Sequence, residues 1–459
     1  MTKDLYDRKL PLRVRIGYPL TNVGSTLQTL IQMYFLLTFY VSFLGISGTA
    51  AGIIIMIARI WDFINDPIMG MIVEKVKRPE KCLFIMRCAL VPIAIFMVLC
   101  YTAPDISYSM KVVWAFVTFV CLGMSQTAYS ISKDTLQPRL TTNRLERSKL
   151  NTYNQVFSTI LNAVVPAVTM PLVGYLAGYG EASAFAKVSA IYAVVYVLTG
   201  LAGTYMCRGF DSSEDDAQVQ KGNAVKIKDM LKALALNKVA VLLIVIQVMK
   251  MLLSSIAGSI LLYFCTYNLG NANAMSLATS LSTIGGIIPI FFLVPLHKKF
   301  GNAGSGLLGC VVIVATYLAM FVTGVPSVSF FVAMNIIGTI GTTLLSAVMI
   351  QILMDSVDYG EWRTGHKNTG VIMSANGIGN KIGLAFGSSL AGFVLGFVNF
   401  DPNAAVQPQH ILNVFFHLTV TAQLVIYVLI MVVLLFIYRL EKKLPQMKEE
   451  VAQRKLANS

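Results

Sequence analysis

Two aspartates stand one helical turn apart in an apolar segment: Asp62 and Asp66 of Ala58-Arg59-Ile60-Trp61-Asp62-Phe63-Ile64-Asn65-Asp66-Pro67-Ile68-Met69-Gly70. An ionised carboxylate at the centre of a bilayer costs at least about 2.5 kcal/mol, so its presence there asks for a function. The i,i+4 spacing puts both carboxylates on one helix face, with Arg59 close by. Two carboxylates aimed into one space make a site for a small cation or a proton, which is what an ion-coupled carrier needs. Asn65 adds an amide oxygen, and Na⁺ asks for several oxygen ligands of this kind. A protonated carboxyl serves the alternative, because burial and a neighbouring like charge both favour the neutral acid. Pro67 removes a helical donor and frees a carbonyl near the pair. The plainer reading of the segment, a structural Arg59–aspartate ion pair, leaves the second carboxylate unexplained.

Other polar residues sit in apolar surroundings. Thr127 and Ser130, in Gln126-Thr-Ala-Tyr-Ser-Ile-Ser-Lys-Asp134, are i,i+3 and share a face that supplies hydroxyls. Lys133 and Asp134 fit either an interfacial pair or a substrate contact. Lys250 lies about 18 Å into its helix at 1.5 Å per residue, close to the bilayer midplane. It has no acidic neighbour within a turn, so its partner comes from another helix or from an anionic ligand. Lys381 lies in the glycine-rich run Asn376-Gly-Ile-Gly-Asn-Lys-Ile-Gly-Leu-Ala-Phe-Gly387, whose glycines allow close helix approach. It is the natural counter-ion for Asp62 and Asp66. Four intramembrane cations (Arg59, Lys133, Lys250, Lys381) thus face four acids (Asp62, Asp66, Asp134, Asp355), an expected charge balance. Asp355, Asp358, Glu361 and Arg363 form a mixed-charge helix end that reads either as an inner gate, joined by Arg59, or as a plain loop.

The elements that must position these groups are membrane helices. The chain has 459 residues, of which 56% are hydrophobic and 13% charged, and apolar stretches of about 20 residues recur along it. Twelve are expected: 16–44, 49–73, 82–103, 111–136, 152–177, 184–206, 238–267, 273–296, 304–324, 328–354, 368–398 and 410–438. The fold class is therefore all-α, a membrane protein of twelve transmembrane helices in two six-helix bundles. The bundles are 1–207 and 238–440, with a central cytoplasmic loop at 208–237 and a cytoplasmic tail at 441–459. Asp211-Ser-Ser-Glu-Asp-Asp216 in that loop reads as a solvated or regulatory linker, and Lys226–Lys232 as an amphipathic surface helix. The first span reads as a retained helix rather than a cleaved leader.

The net charge of +14 does not point to nucleic acid. Lys111 and Lys187 fall at the outer ends of their spans, Arg59, Lys133, Lys250 and Lys381 deep inside spans, and Arg87 about one turn into the third. The remaining Lys and Arg gather in the two tails and in alternate connections, the positive-inside pattern, which puts both termini in the cytoplasm. Seven cysteines and four histidines show no ligand spacing, so no metal centre or cofactor is expected beyond a coupling ion, Na⁺ before H⁺. An intramembrane aspartyl protease needs two aspartates on facing helices. Here they share one helix, and no enzyme is expected.

The runs Arg59-Ile-Trp-Asp-Phe-Ile-Asn-Asp-Pro-Ile-Met-Gly70 and Asp355-Ser-Val-Asp-Tyr-Gly-Glu-Trp-Arg-Thr-Gly365 resemble signatures of the glycoside–pentoside–hexuronide:cation symporters, the melibiose-permease-like group of the major facilitator superfamily. The resemblance covers essentially the whole chain. It implies the major facilitator fold, two bundles rocking about a central cavity, in a monomer of the cell inner membrane. It also implies a cation site at Asp62, Asp66, Asn65 and Thr127, and a coupling lysine at Lys381. The family's galactoside-binding positions are rewritten: its first-helix lysine–aspartate pair falls on Gly24 and Ser25, its fourth-helix aspartate and tryptophan on Ser130 and Asp134, and its fifth-helix arginine on Gln155. Ser25, Ser130, Asp134, Gln155, Lys250 and Asn376 are thus the candidate substrate residues. The expectation is cation-coupled uptake of a sugar, glycoside or sugar acid. A non-sugar cargo, such as an organic anion or lipid-like molecule, and a non-transporting membrane sensor are the alternatives.

Overall fold

A computed structural model describes residues 10–76, 78–141, 144–176, 181–211, 237–364, 369–404 and 406–441, with 446, 447, 449, 450 and 453 of the tail. Its regular structure is helical throughout, with no strand among the described residues. In hydrocarbon each backbone N–H and C=O must find a partner within the chain, and a helix provides this locally.

All twelve expected spans are helical. The first unit holds α1 (Leu12–Ile31, continued through π-helical turns at Gln32–Leu36 and Phe39–Phe43), α2 (Gly48–Lys75), α3 (Lys81–Cys100), α4 (Tyr108–Leu140), α5 (Arg144–Leu176) and α6 (Ala182–Met206). The second holds α7 (Lys238–Tyr263), α8 (Asn273–Gly285), α9 (Ile288–Thr323), α10 (Val328–Thr364), most of α11 (Thr369–Phe397) and α12 (Gln409–Phe416, a π turn at His417–Thr421, then Ala422–Glu441). Residues 388–406, at the end of α11, cluster with the first unit. There Gly52 and Gly392 meet so closely that a Cβ on Gly392 would lie 2.7 Å from the Gly52 Cα.

Ten helices among the described residues are long and apolar enough to cross a membrane. Two expected spans fall short for local reasons. Thr21, Asn22, Ser25, Thr26, Gln28 and Thr29 dilute the first. The eighth breaks after Gly285, resumes at Ile288, and runs into the ninth across a kink at Gly301, where φ is 73°. The chain is a multi-pass membrane protein. Its outward faces fit that: Ile53, Ile57, Ile60, Ile64, Ile68 and Ile72 form one exposed stripe along α2, which would be an anomaly in water.

Helix ends of the first unit are fastened by charge. Glu146, ahead of the span in α5, accepts from Arg15 Nε (2.9 Å), Lys149 Nζ (2.9 Å) and the Leu10 N–H (3.3 Å). Burial pushes this carboxyl up, but the hydrogen bonds from Lys149, Arg15 and Leu10 outweigh that and hold it below the usual carboxylate range. Asp211 overturns the solvated-linker expectation at its own position. It is 2% exposed, caps the start of α3 by accepting from the Cys82 and Leu83 N–H groups (2.8 and 3.2 Å), and pairs with buried Arg139 at 2.9 Å. The rest of that acidic run, and the Lys226–Lys232 segment, lie outside the described residues.

Candidate functional site

The residues expected to form a cation site lie on α2 and α4 of the first unit. α2 starts on a capped turn, with Ser47 Oγ accepting from the Ala50 N–H at 3.2 Å, and continues through Pro67 without breaking. Arg59 Nη1 lies 3.3 Å from Asp62 Oδ2. Its guanidinium also reaches Gln32 Oε1 at 3.4 Å and sits 5.4 Å over the Phe119 ring. The other carboxylate oxygen, Oδ1, faces α4: a Cβ on Gly123 would lie 2.8 Å from it. Thr127, buried, is one turn beyond Gly123 and so on the same face of α4. Asn65 is 3% exposed and its Nδ2 is buried without a hydrogen-bond partner among the described residues. Asp66 is half-buried, one turn along from Asp62. Asp66 thus adds a second carboxylate one turn from the Arg59–Asp62 pair on the same helix.

The substrate candidates of the first unit divide. Ser25 is buried and bonds the Tyr196 hydroxyl at 3.3 Å, which in turn donates to Gln126 Oε1 at 2.8 Å. Gly24 packs flat against the same ring, 2.5 Å from the position its Cβ would take. Tyr196 of α6 therefore occupies the room beside both first-helix positions. Lys133 donates to Asn22 Oδ1 at 2.6 Å and lies 3.7 Å from Asp134, whose carboxylate is 74% exposed. Asn22 Nδ2 reaches Ser158 Oγ at 3.4 Å. Ser130 Oγ turns back to the Thr127 carbonyl at 3.3 Å, and Gln155 is exposed on α5. Ser25, Ser130, Asp134 and Gln155 are not joined by any hydrogen bond to one another.

In the second unit α11 lies on α7 through three glycines at i,i+4 spacing. A Cβ on Gly379 would lie 2.9 Å from Val248 Cγ2 and one on Gly383 2.5 Å from the Val248 carbonyl, while Gly387 abuts Leu252. That contact brings Asn380 Oδ1 to 2.8 Å from Gln247 Nε2. A cavity of about 190 Å³ opens beside it, lined by Gln247, Lys250, Ser346, Asn376 and Asn380 among apolar side chains. Lys250 is 8% exposed and donates to Ser346 Oγ at 3.1 Å. The expected charge balance fails here, because no carboxylate among the described residues pairs with Lys250. Asp355 instead accepts from Asn302 Nδ2 at 3.3 Å, and Asp358 is half-buried beside it on α10. Lys381 is exposed on α11. The Arg363 side chain lies outside the described residues.

Sequence reasoning missed Gly123, Tyr196, Gln247, Ser346 and Asn380. Gln247 carried a signal, as a polar residue i,i+3 from Lys250 in an apolar helix, and so did Asn380, i,i+4 from Asn376. Gly123 carried none, since glycines are common in membrane helices.

Known proteins agree with this architecture. An isoprimeverose transporter of Lactiplantibacillus pentosus is 28% identical over 98% of this chain and 93% of its own length. The glucuronide carrier protein homolog of Escherichia coli (strain K12) is 24% identical over 89% of this chain and 88% of its own. The crystal structure of PepTSo2 superposes with a TM-score of 0.64 over 94% of this chain and 99% of that one, at 14% identity, which speaks to the fold alone. The fold and these relatives make the chain a transporter of the major facilitator superfamily rather than an enzyme. The sequence model of the MFS/sugar transport protein family matches residues 17–442, and the chain belongs to that family.

Proposed function

We propose that the protein is a secondary symporter that imports a sugar, glycoside or sugar acid by alternating access, coupled to a monovalent cation, with Na⁺ ahead of H⁺. Its place is the inner membrane, as a monomer with both termini in the cytoplasm. The carrying observation is the placement of Asp62. One carboxylate oxygen is held by Arg59, while the other is laid against α4 at Gly123, one turn from buried Thr127. Asp66 and Asn65 complete an oxygen-rich set on α2. Neutral oxygens beside carboxylates favour Na⁺, whereas a proton needs only a carboxylate. The relatives named for isoprimeverose and for a glucuronide support a sugar-type cargo. Coupling then follows from linkage: each ligand raises the affinity for the other by the same factor.

The test uses purified protein, first in detergent and then in liposomes. Na⁺ at fixed ionic strength raises the unfolding midpoint by mass action, and an inward Na⁺ gradient drives accumulation of a labelled sugar. Asp62→Asn removes both effects. Uptake that follows a pH gradient and ignores Na⁺ moves the coupling ion to H⁺. A wild-type protein that accumulates no sugar under either gradient sinks the proposal.

A further inference from the structure

Lys250 is a buried cation at mid-depth of α7 whose hydrogen-bond partner is a neutral hydroxyl, Ser346 Oγ. An ammonium keeps two further N–H donors after that bond. Buried charges are retained when something of opposite sign meets them, and among the described residues nothing of opposite sign does. The cavity it lines holds a second unmet group. Gln247 gives its amide N–H to Asn380, and its Oε1 is buried with no donor among the described residues. Asn376, on the facing helix, makes no side-chain hydrogen bond among the described residues and offers both a donor and an acceptor.

We infer that this cavity is an anion subsite, in which Lys250 binds the acidic group of a sugar acid while Gln247 Oε1 accepts from one of its hydroxyls. The two unmet groups prescribe such a ligand: an anionic oxygen for the ammonium, and an O–H for the amide oxygen within the same small space. A plain organic anion leaves Gln247 Oε1 unmet, and a neutral sugar leaves Lys250 unmet. Pockets for drug-sized ligands run to about 300–1,000 Å³, so about 190 Å³ suits the acidic end of one sugar rather than a large glycoside as a whole. The inference rests on the symport reading above and narrows its cargo to the acidic members of that class.

The experiment is a thermal-shift titration of the full-length purified protein, with and without Na⁺. The probes are D-glucuronate, D-gluconate and a 6-sulfonated hexose, set against D-glucuronamide and D-glucose as neutral counterparts. At least one acid is expected to bind about tenfold or more tightly than its neutral counterpart. Lys250→Met abolishes that preference, and Lys250→Arg keeps part of it. Equal binding of acid and neutral sugar, or a preference that survives Lys250→Met, overturns the inference. Should Lys250→Met not fold, Asn376→Leu takes its place, and an unchanged acid affinity in that variant counts equally against the inference. No response to any acid, with Na⁺ stabilisation intact, removes the subsite and leaves the symport reading standing. Acid binding without any Na⁺ or pH coupling keeps the subsite and removes the symport reading instead.

Discussion

Gly123 of α4 gives up its side-chain volume to Asp62 of α2: a Cβ there would lie 2.8 Å from Asp62 Oδ1, inside the contact distance of carbon and oxygen. The carboxylate is the movable partner, so Gly123→Ala displaces Asp62 without forcing the helices apart. A helical Gly→Ala change by itself stabilises by up to about 1 kcal/mol. The variant is expected to unfold no earlier than wild type in the absence of Na⁺, yet to need about tenfold more Na⁺ for the same rise in midpoint. A Na⁺ titration by thermal shift checks it, and an unaltered titration would take Asp62 out of the cation site.

The fold was legible because the bilayer imposes one rule, about 20 apolar residues per helix, and ten helices among the described residues obey it, while the first and eighth expected spans are helical but diluted or broken. Asp62, Asp66, Asn65, Thr127 and Lys250 were legible for the opposite reason, as polar groups kept where they are costly. Tertiary contact decided the rest. Asp211 reads as the first residue of an acidic linker, and only the return of the chain to the start of α3 shows that it is buried. Tyr196 looks like one aromatic among many, but its ring fills the room beside Gly24 and Ser25. The balance of four cations against four acids was a count over the sequence. It failed at Lys250 because counting charges does not say which helices face one another.

The Asp211–Arg139 pair is expected to behave as a buried pair does when one member is lost. Both side chains are at most 1% exposed, and Arg139 Nε and Asp211 Oδ1 sit 2.9 Å apart as an ion pair without hydrogen-bond alignment. Asp211→Ala strands the guanidinium and uncaps α3, at a cost of about 3–5 kcal/mol. Arg139→Met alone strands the carboxylate but keeps the cap. The double change Arg139→Met, Asp211→Asn is expected to recover part of the loss, since no charge is left buried. Unfolding midpoints of the three variants check this. A double variant worse than the sum of the singles would contradict it.

Glu146 gives the protein an acid-sensitive fastening between the start of α1 and α5. Its carboxyl is held below the usual carboxylate range in the folded state. A group depressed in this way contributes stability that is fully present above its unfolded pKa, about 4.3, and that is lost as pH falls through the lower folded value. Wild type is therefore expected to lose midpoint below about pH 4.3 more steeply than Glu146→Gln. The variant starts lower at pH 7, because the amide cannot satisfy Arg15 and Lys149 together. Midpoints measured from pH 7 down to pH 3 check the convergence of the two curves. Parallel curves would mean that Glu146 titrates alike in both states.

Gly383 tests whether the α7–α11 contact is what builds the Lys250 cavity. Its Cβ would fall 2.5 Å from the Val248 carbonyl and 2.7 Å from Met251 Cβ, both on α7. Backbone cannot move aside as a side-chain tip can, so Gly383→Leu must push α11 off α7. The Gln247–Asn380 hydrogen bond lies one turn away and is broken by the same displacement. Overpacking of this kind costs about 1–3 kcal/mol, so the variant is expected to fold with a lowered midpoint. Na⁺ stabilisation, which depends on α2 and α4, is expected to persist, while substrate-dependent stabilisation is lost. Gly377, by contrast, has nothing within 4 Å of the Cβ position and an exposed place on the same helix. Gly377→Ala is therefore the control: it adds a methyl to α11 without touching α7 and leaves both responses in place. Loss of the Na⁺ response in Gly383→Leu, or loss of the substrate response in Gly377→Ala, would show that α11 acts on the sites by some route other than its seat on α7.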